Sequence, residues 1–320
     1  MTTRALVTGA NGFVAQWAMK AMLSRGWSVT AAGFDAAPSS SILTGAEHDA
    51  IDWRRVDVTS QPEIAATLDA ATPDAILHLA GVSFVPTAMA DPGHAYDVNA
   101  VGVVRLLTEV RRHRVAGVAD PTILVIGSAE QYGRHDLHEM PLGESAEQRP
   151  LTLYAASKVA QEVAALQACR SDGMRVICTR SFNHSGIGHG QQFLLPALVG
   201  RALALPATGG SLAIGNADTT RDFTHVADVA EAYLALLERG ETGQAYNVCS
   251  GRGVTVRQLA EAVLERVGRS AKLATDPSLK RAVDVTVQIG SNAKLRAATG
   301  WEPRRAYEDI IDDLIHAATR

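Results

Sequence analysis

Three cysteines are all that 320 residues supply. Cys169, Cys178 and Cys249 lie in apolar surroundings without paired spacing. That excludes a disulfide framework and a thiolate metal site, and fits buried thiols in a cytoplasmic protein. No metal is expected. Positive charge is not in excess either, since 30 Lys and Arg stand against 34 Asp and Glu for a net charge of -4. Without a basic block, nucleic-acid and membrane-surface roles lack an electrostatic footprint. No apolar run approaches the ~20 residues needed to cross a bilayer. The chain opens with a strand, residues 4–8, rather than a signal peptide. Internal repeats and low-complexity linkers are also missing.

What remains is a globular composition, 47% hydrophobic and 20% charged, in a chain long enough for one large domain or two unequal ones. Residues 5–8 form a short apolar run suited to a fully buried parallel strand. A turn of Gly9, Ala10, Asn11, Gly12, Phe13, Val14 and Ala15 follows, then an amphipathic helix stopped by Gly26. Strand, glycine-rich turn and helix is the context that makes a dinucleotide site of a glycine pattern. Gly9 permits the tight turn, Gly12 lets backbone approach a pyrophosphate, and the helix N-terminus supplies N–H donors. The third glycine of the usual pattern is Ala15 here.

Residues 28–32 read as the second strand, and Gly33, Phe34 and Asp35 after it leave the choice between NAD and NADP open. Pro38 and Ser39 to Ser41 suit either a phosphate contact or a plain turn. Residues 55–58 are expected to be a third strand, with Asp57 beside Val58 as an adenine-amine acceptor or a turn carboxylate. Residues 61–71 are helical. The strand at 75–81 ends in Leu79, Ala80 and Gly81, small enough for backbone to pass close to a cofactor, with His78 as a core histidine. Residues 94–112 are expected to form one long helix. The strand at 122–126 delivers Ser128 and Glu130 beyond its carboxyl end, where doubly wound sheets bind ligands.

Tyr154 and Lys158 are four apart on the next expected helix, so they share a face. An ammonium beside a phenol favours the phenolate, and a Tyr tuned this way exchanges a proton with a hydroxyl carbon undergoing hydride transfer. A surface helix with an ordinary Tyr and Lys is the alternative. Strands and helices alternate to a sixth strand at 174–180, which implies a Rossmann-like doubly wound α/β parallel sheet. Residues 1–182 form the expected dinucleotide-binding domain. Residues 183–320 form mainly a smaller, interleaved substrate lobe, with a strand near 245–249 returning to the sheet and 213–223 as a turn-rich connection. A cleft between the two is a favoured ligand site.

These residues together resemble the extended short-chain dehydrogenase/reductase family, also described as NAD-dependent epimerases and dehydratases, over essentially the whole chain. The marks are Thr8 to Phe13, Asp57–Val58, Leu79 to Gly81, Asn99, Ser128, Tyr154 with Lys158, and Arg221 to Phe223. Phe182 to His184, Tyr246 to Gly251 and Gly300 to Pro303 look most like the branch of GDP-6-deoxy-4-keto-mannose reductases and GDP-mannose 4,6-dehydratases. The resemblance implies Tyr154 as acid/base, Lys158 as its partner and ribose anchor, and Ser128 as ligand of the substrate oxygen. It implies Gly9, Asn11, Gly12, Phe13, Val14, Asp57, Val58, Leu79, Ala80 and Gly81 around NADPH or NADH, NADP slightly favoured. Ser83, Asn183, Arg221, Arg281 and Asp284 are the implied nucleotide-sugar ligands, although residues 281–284 depart from the family's Arg-Pro-Ala-Glu run.

A dehydratase needs a base for the C5 proton and an acid for the C6 hydroxyl. Here the tripeptide is Ser128, Ala129, Glu130, in which Glu130 can act as base and Ala129 can donate nothing. The expectation is therefore an NAD(P)H-dependent C4 reductase of a GDP-4-keto-6-deoxyhexose, as a homodimer. A 4,6-dehydratase or C4 epimerase is the alternative, and a catalytically silent dinucleotide sensor a further one.

Overall fold

A computed structural model of the chain describes residues 2–35, 42–279 and 285–319. Its strands begin with β1 (Arg4–Thr8), β2 (Ser28–Gly33), β3 (Asp52–Arg55), β4 (Ala75–His78), β5 (Thr122–Ser128) and β6 (Val176–Ser181). β7 (Asn183–Ser185), β8 (Gly210–Ile214) and β9 (Thr220–His225) come next, and β10 (Ala245–Val248) returns to the main sheet. β11 (Gly253–Thr255), β12 (Ala271–Thr275) and β13 (Val287–Gln288) complete the set among the described residues. The main sheet is parallel throughout, in the order β10-β6-β5-β4-β1-β2-β3. The order reverses between β1 and β4, so ligands belong beyond the carboxyl ends of those strands.

The strands are apolar without alternation because helices cover both faces. Ile76, Leu77, Ile123, Leu124, Val176 and Ile177 are all fully buried. One face packs under the helix Phe13–Ser24 and the helix Val226–Arg239, whose Val229, Ala232, Tyr233 and Leu236 join Ala15, Met19 and Met22 in a single cluster. Burying each large apolar side chain there contributes about 1.5–3 kcal/mol. Ala15 is buried against this core, so the methyl that replaces the family's third glycine serves as packing. The other face carries the helices Gly102–Val115 and Leu153–Asp172. Thr152 caps the latter by accepting the Ala155 N–H at 3.1 Å, and Gly173 closes it in the left-handed conformation. A separate cluster gathers the helices Leu194–Leu203, Val256–Arg266 and Tyr307–Ala318 around β8, β9 and β11.

Five expectations change, the first being the strand expected at 75–81, which ends at His78. The third strand sits earlier, at Asp52–Arg55, because Asp57 turns the chain by accepting the Thr59 N–H (2.8 Å) and hydroxyl (2.7 Å). The sixth strand begins at Val176 rather than at 174. The long helix is broken by a π-turn, Asp97–Val101, which turns Asn99 fully inward. The 213–223 stretch holds the end of β8 and most of β9, a strand hidden from pattern reading because Arg221, Asp222 and Thr224 are buried polar residues. β10 pairs with β6 at the sheet edge, as the sequence suggested. No described helix is long and apolar enough to cross a membrane.

A buried ion pair ties the two sides of the site. Both oxygens of Glu162 accept from Arg180, at 2.7 and 3.0 Å, and both side chains are almost wholly enclosed. Burial alone would raise the Glu162 carboxyl, but Arg180, Gln131 and Gln148 together hold it below its ordinary value. Replacing Arg180 by Met should therefore cost about 3–5 kcal/mol by stranding the carboxylate, whereas the double change with Glu162→Met should recover much of that loss. Urea unfolding of the three variants checks this; equal losses in single and double variants would contradict it.

Candidate functional site

Ser128 is the last residue of β5, and the turn Ala129–Tyr132 starts from it. Its hydroxyl accepts the Glu130 N–H at 3.2 Å and lies near enough to the Tyr154 hydroxyl to favour its phenolate. Tyr154 is 6% exposed, packed with Ala88 and Ala95. Burial pushes its pKa up to about 12, the Ser128 hydroxyl opposes that, and the Glu130 charge adds to it. Glu130 thus acts electrostatically on the same hydroxyl. Lys158 is buried one turn further along the helix and has no carboxylate partner among the described residues. Its ammonium donates instead to the Ile126 carbonyl (3.0 Å) and to Gln161 Oε1 (2.9 Å). Burial pushes Lys158 down to about 8.

The glycine-rich turn fits a dinucleotide. Gly9 has φ +69°, and a Cβ there would sit 2.6 Å from the Ala80 nitrogen, so only glycine lets the two strand ends meet. The helix Phe13–Ser24 has no side-chain cap, which leaves its first N–H groups for an anion. Asn11 spans the gap between strand ends, donating to the Asp35 carbonyl (3.1 Å) and accepting its N–H (3.2 Å). Gly81 lies against Lys158, where a Cβ would come 3.2 Å from Nζ and 2.9 Å from Asn99 Oδ1. Asn99 accepts the Val82 N–H (2.8 Å) and donates to Ser157 Oγ (3.0 Å), so the π-turn anchors the loop after β4 to the Tyr154 helix. Val14 is half-buried behind Phe13, and Leu79 donates its N–H to Thr8. Asp57 and Val58 follow β3, with Val58 buried. Backbone hydrogen bonds and Thr59 lower the Asp57 carboxyl. His78 is a core histidine, its Nδ1 2.8 Å from Thr8 Oγ1, and burial drives it down to about 3.

The residues assigned to the sugar nucleotide are less tightly gathered. Ser83 is exposed between β4 and the helix Val85–Ala90. Asn183 opens β7, beside Phe223 of β9. Arg221 is buried on β9, and its Nη1 donates to the Thr220 (2.9 Å) and Val285 (2.6 Å) carbonyls. Asp222 instead takes Ser250, Gly251 and Gly290 N–H groups and the Ser250 hydroxyl, and burial still pushes it up to about 6. Arg281, Asp284 and the stretch from Pro38 to Ser41 lie outside the described residues.

Sequence reading missed an aromatic stack over the glycine-rich turn. Phe13 stacks on His189 with centroids 4.4 Å apart, His189 on Phe193 at 4.2 Å, and Phe193 meets Phe84 edge-on at 5.4 Å. Burial pushes His189 down to about 3, so the ring stacks uncharged. The regular recurrence of aromatics is absent from this loop, and only the chain's path from β7 brings the rings together. Gln131 and Tyr233 were missed likewise; the Tyr233 hydroxyl lies 2.8 Å from Ser181 Oγ.

The GDP-mannose 4,6-dehydratase family model matches residues 6–314. A GDP-6-deoxy-D-mannose reductase from Pseudomonas aeruginosa is 34% identical over 98% of this chain and 97% of its own length. A UDP-glucose 4-epimerase from Lacticaseibacillus casei is 27% identical over 98% of this chain and 94% of its own. Among solved structures, RMD from Pseudomonas aeruginosa complexed with NADPH superposes with a TM-score of 0.83 at 29% identity, covering 100% of this chain and 99% of that one. Fold and likeness together define an NAD(P)-dependent nucleotide-sugar enzyme of the extended short-chain dehydrogenase/reductase type. The chain belongs to the GDP-mannose 4,6-dehydratase family.

With Lys158 near 8, its ammonium is lost as pH rises through that value, while Tyr154 stays protonated. The pH profile of kcat/KM, which reports the free enzyme, should fall above about pH 8. A profile flat to pH 9.5 would contradict a required Lys158 charge.

Proposed function

We propose that the protein reduces the C4 keto group of a GDP-4-keto-6-deoxyhexose, giving a GDP-rhamnose type product. The observation that carries this reading is the approach of the Tyr154 hydroxyl to that of Ser128, which ends β5 and is followed by Ala129. Ala129 is buried and contributes only its carbonyl, which accepts from Gln288 Nε2 at 2.9 Å. The chain thus offers no proton donor at the position where a dehydratase must expel the C6 hydroxyl. The 34% identical reductase supports the same choice. NADPH, the cofactor in the RMD structure, supplies the hydride when bound.

The side chains divide the remaining work. Ser128 orients the keto oxygen by hydrogen bonding, and Tyr154 donates its proton to the oxygen as charge develops there. A phenol whose pKa is about 12 is still neutral at pH 7 and holds the proton until an alkoxide forms. With a cofactor bound, Lys158 would turn its ammonium from Gln161 to the ribose, and Gly81 would leave room for that approach. Asn183 and Arg221 of the second lobe, residues 183–320, face the nucleotide sugar, with Arg221 fixed by two carbonyls. Guanidinium forks suit a diphosphate. Helices Gly102–Val115 and Leu153–Asp172 leave Val104 and Val163 outside, at 46% and 58% exposure. We assign those faces to a homodimer. Three unpaired cysteines fit a cytoplasmic setting.

A second reading, a 4,6-dehydratase, draws on Glu130, whose charge reaches the Tyr154 hydroxyl. That carboxylate can remove a C5 proton, yet the missing acid at Ala129 weighs against the full reaction. Substituting Tyr154→Phe should lower kcat with GDP-4-keto-6-deoxymannose by about 10²–10⁴-fold, with the NADPH dissociation constant changed less than about threefold. Stopped-flow fluorescence and a steady-state assay check both halves. Retained turnover would remove Tyr154 from the mechanism. Light scattering of the same sample should give twice 33.8 kDa; a monomer mass would remove the dimer.

A further inference from the structure

Ser128 and Tyr154 stand on different elements, the end of β5 and the helix Leu153–Asp172. Their separation decides whether one keto oxygen can meet both hydroxyls, since a misplacement of about 1 Å can cost 10²-fold in rate. Nothing covalent fixes it. We propose that Gln131, braced on the Glu162–Arg180 pair, is a positioning residue that holds Ser128 at its working distance from Tyr154. This rests on the reading that Ser128 and Tyr154 carry the chemistry.

Gln131 is fully buried, and its amide is used at both ends. Oε1 accepts the Ser128 N–H at 2.8 Å, and Nε2 donates to Glu162 Oε2 at 2.8 Å. Glu162 lies one helical step of four after Lys158 and two after Tyr154, so it shares their face. Its position is fixed in turn by Arg180 from β6 and by Gln148 Nε2 at 2.7 Å. Arg180 continues outward to the Tyr132 hydroxyl (3.1 Å) and the Glu144 carbonyl (3.0 Å), and Tyr132 donates to Asn247 of β10 at 2.7 Å. The serine amide is thereby referred through one side chain to the helix that bears the tyrosine.

Gly127 shows that the arrangement is sterically built in. A Cβ at that residue would come 2.4 Å from Gln131 Oε1 and 2.3 Å from the Thr179 carbonyl. Any side chain there would push the amide off the strand. Gln131 itself is not a catalytic residue, because its two polar atoms are committed to Ser128 and Glu162.

The amide accepts at one end and donates at the other, and that asymmetry gives the test. Leucine at this position does neither. A carboxylate accepts from Ser128 but turns a second negative charge on Glu162. It regains the donor only when protonated, and the neighbouring charge raises the pH at which that happens. The charged and titratable groups facing it from the packed elements are Glu162, Lys158 and Tyr154 of the helix, Arg180 and Cys178 of β6, and Glu130 and Tyr132 of the turn. The Glu144 carboxylate is taken by the Asn247 N–H at 2.8 Å.

The experiment compares wild type, Gln131→Leu and Gln131→Glu, first by crystal structure and then by pH–rate profiles with GDP-4-keto-6-deoxymannose and NADPH. In Q131L the Ser128 hydroxyl should shift away from the Tyr154 hydroxyl relative to wild type, with kcat down about 10–100-fold at every pH and NADPH affinity kept. Q131E should approach the wild-type rate near pH 5.5 and fall about tenfold or more by pH 8, a limb that wild type lacks below that pH. An intact Ser128–Tyr154 pair in Q131L would overturn the proposal, as would a Q131E profile parallel to wild type. Displacement of Ser128 together with a wild type inert toward the GDP sugar would leave the positioning role standing and remove the substrate assignment instead.

Discussion

Glu162 carries a negative charge in a nearly water-free place, and the site around it is arranged to make that tolerable. Four hydrogen bonds reach its two oxygens, from Arg180, Gln131 and Gln148. These partners come from β6, from the turn after β5 and from the loop before the Tyr154 helix. An isolated carboxylate in such a place would be expelled or protonated, since losing one partner of a buried pair costs several kcal/mol. The charge therefore ties together the three segments that set where Ser128 and Tyr154 stand.

The same economy of buried polar groups recurs elsewhere around the site. Asp222 gathers the N–H groups of Ser250, Gly251 and Gly290, which fixes the loop after β10 against β9. Asn99, turned inward by a π-turn, joins the loop after β4 to Ser157 of the Tyr154 helix. Between these anchors the backbone at Gly9 comes so close to Ala80 that a methyl group would not fit, and at Gly81 one would press on Asn99 and Lys158. Rigid polar joints on both sides and bare backbone between them suit a site that must seat an extended, charged cofactor.

Much of this was legible in the chain. The short apolar strands, the glycine-rich turn and the Tyr154–Lys158 spacing are local patterns, and local patterns announce themselves by period and spacing. β9 was invisible because its inward residues are Arg221, Asp222 and Thr224, which read as a loop until their partners are known. The stack of Phe13, His189 and Phe193 and the link through Gln131 were hidden for a related reason. Each depends on contacts between distant segments, and no spacing within one segment records them. Nor did spacing show that the Lys158 ammonium is held by the Ile126 carbonyl and Gln161.

The central claim is that hydride passes from the cofactor to C4 of a keto sugar and stays there. NADPH carrying deuterium at both C4 positions, incubated with GDP-4-keto-6-deoxymannose, tests it most directly. The account predicts one deuterium at C4 of the product sugar for each NADPH oxidised. A product without deuterium, or conversion of GDP-mannose with no net oxidation of NADPH, would contradict it and turn attention to Glu130 as a base.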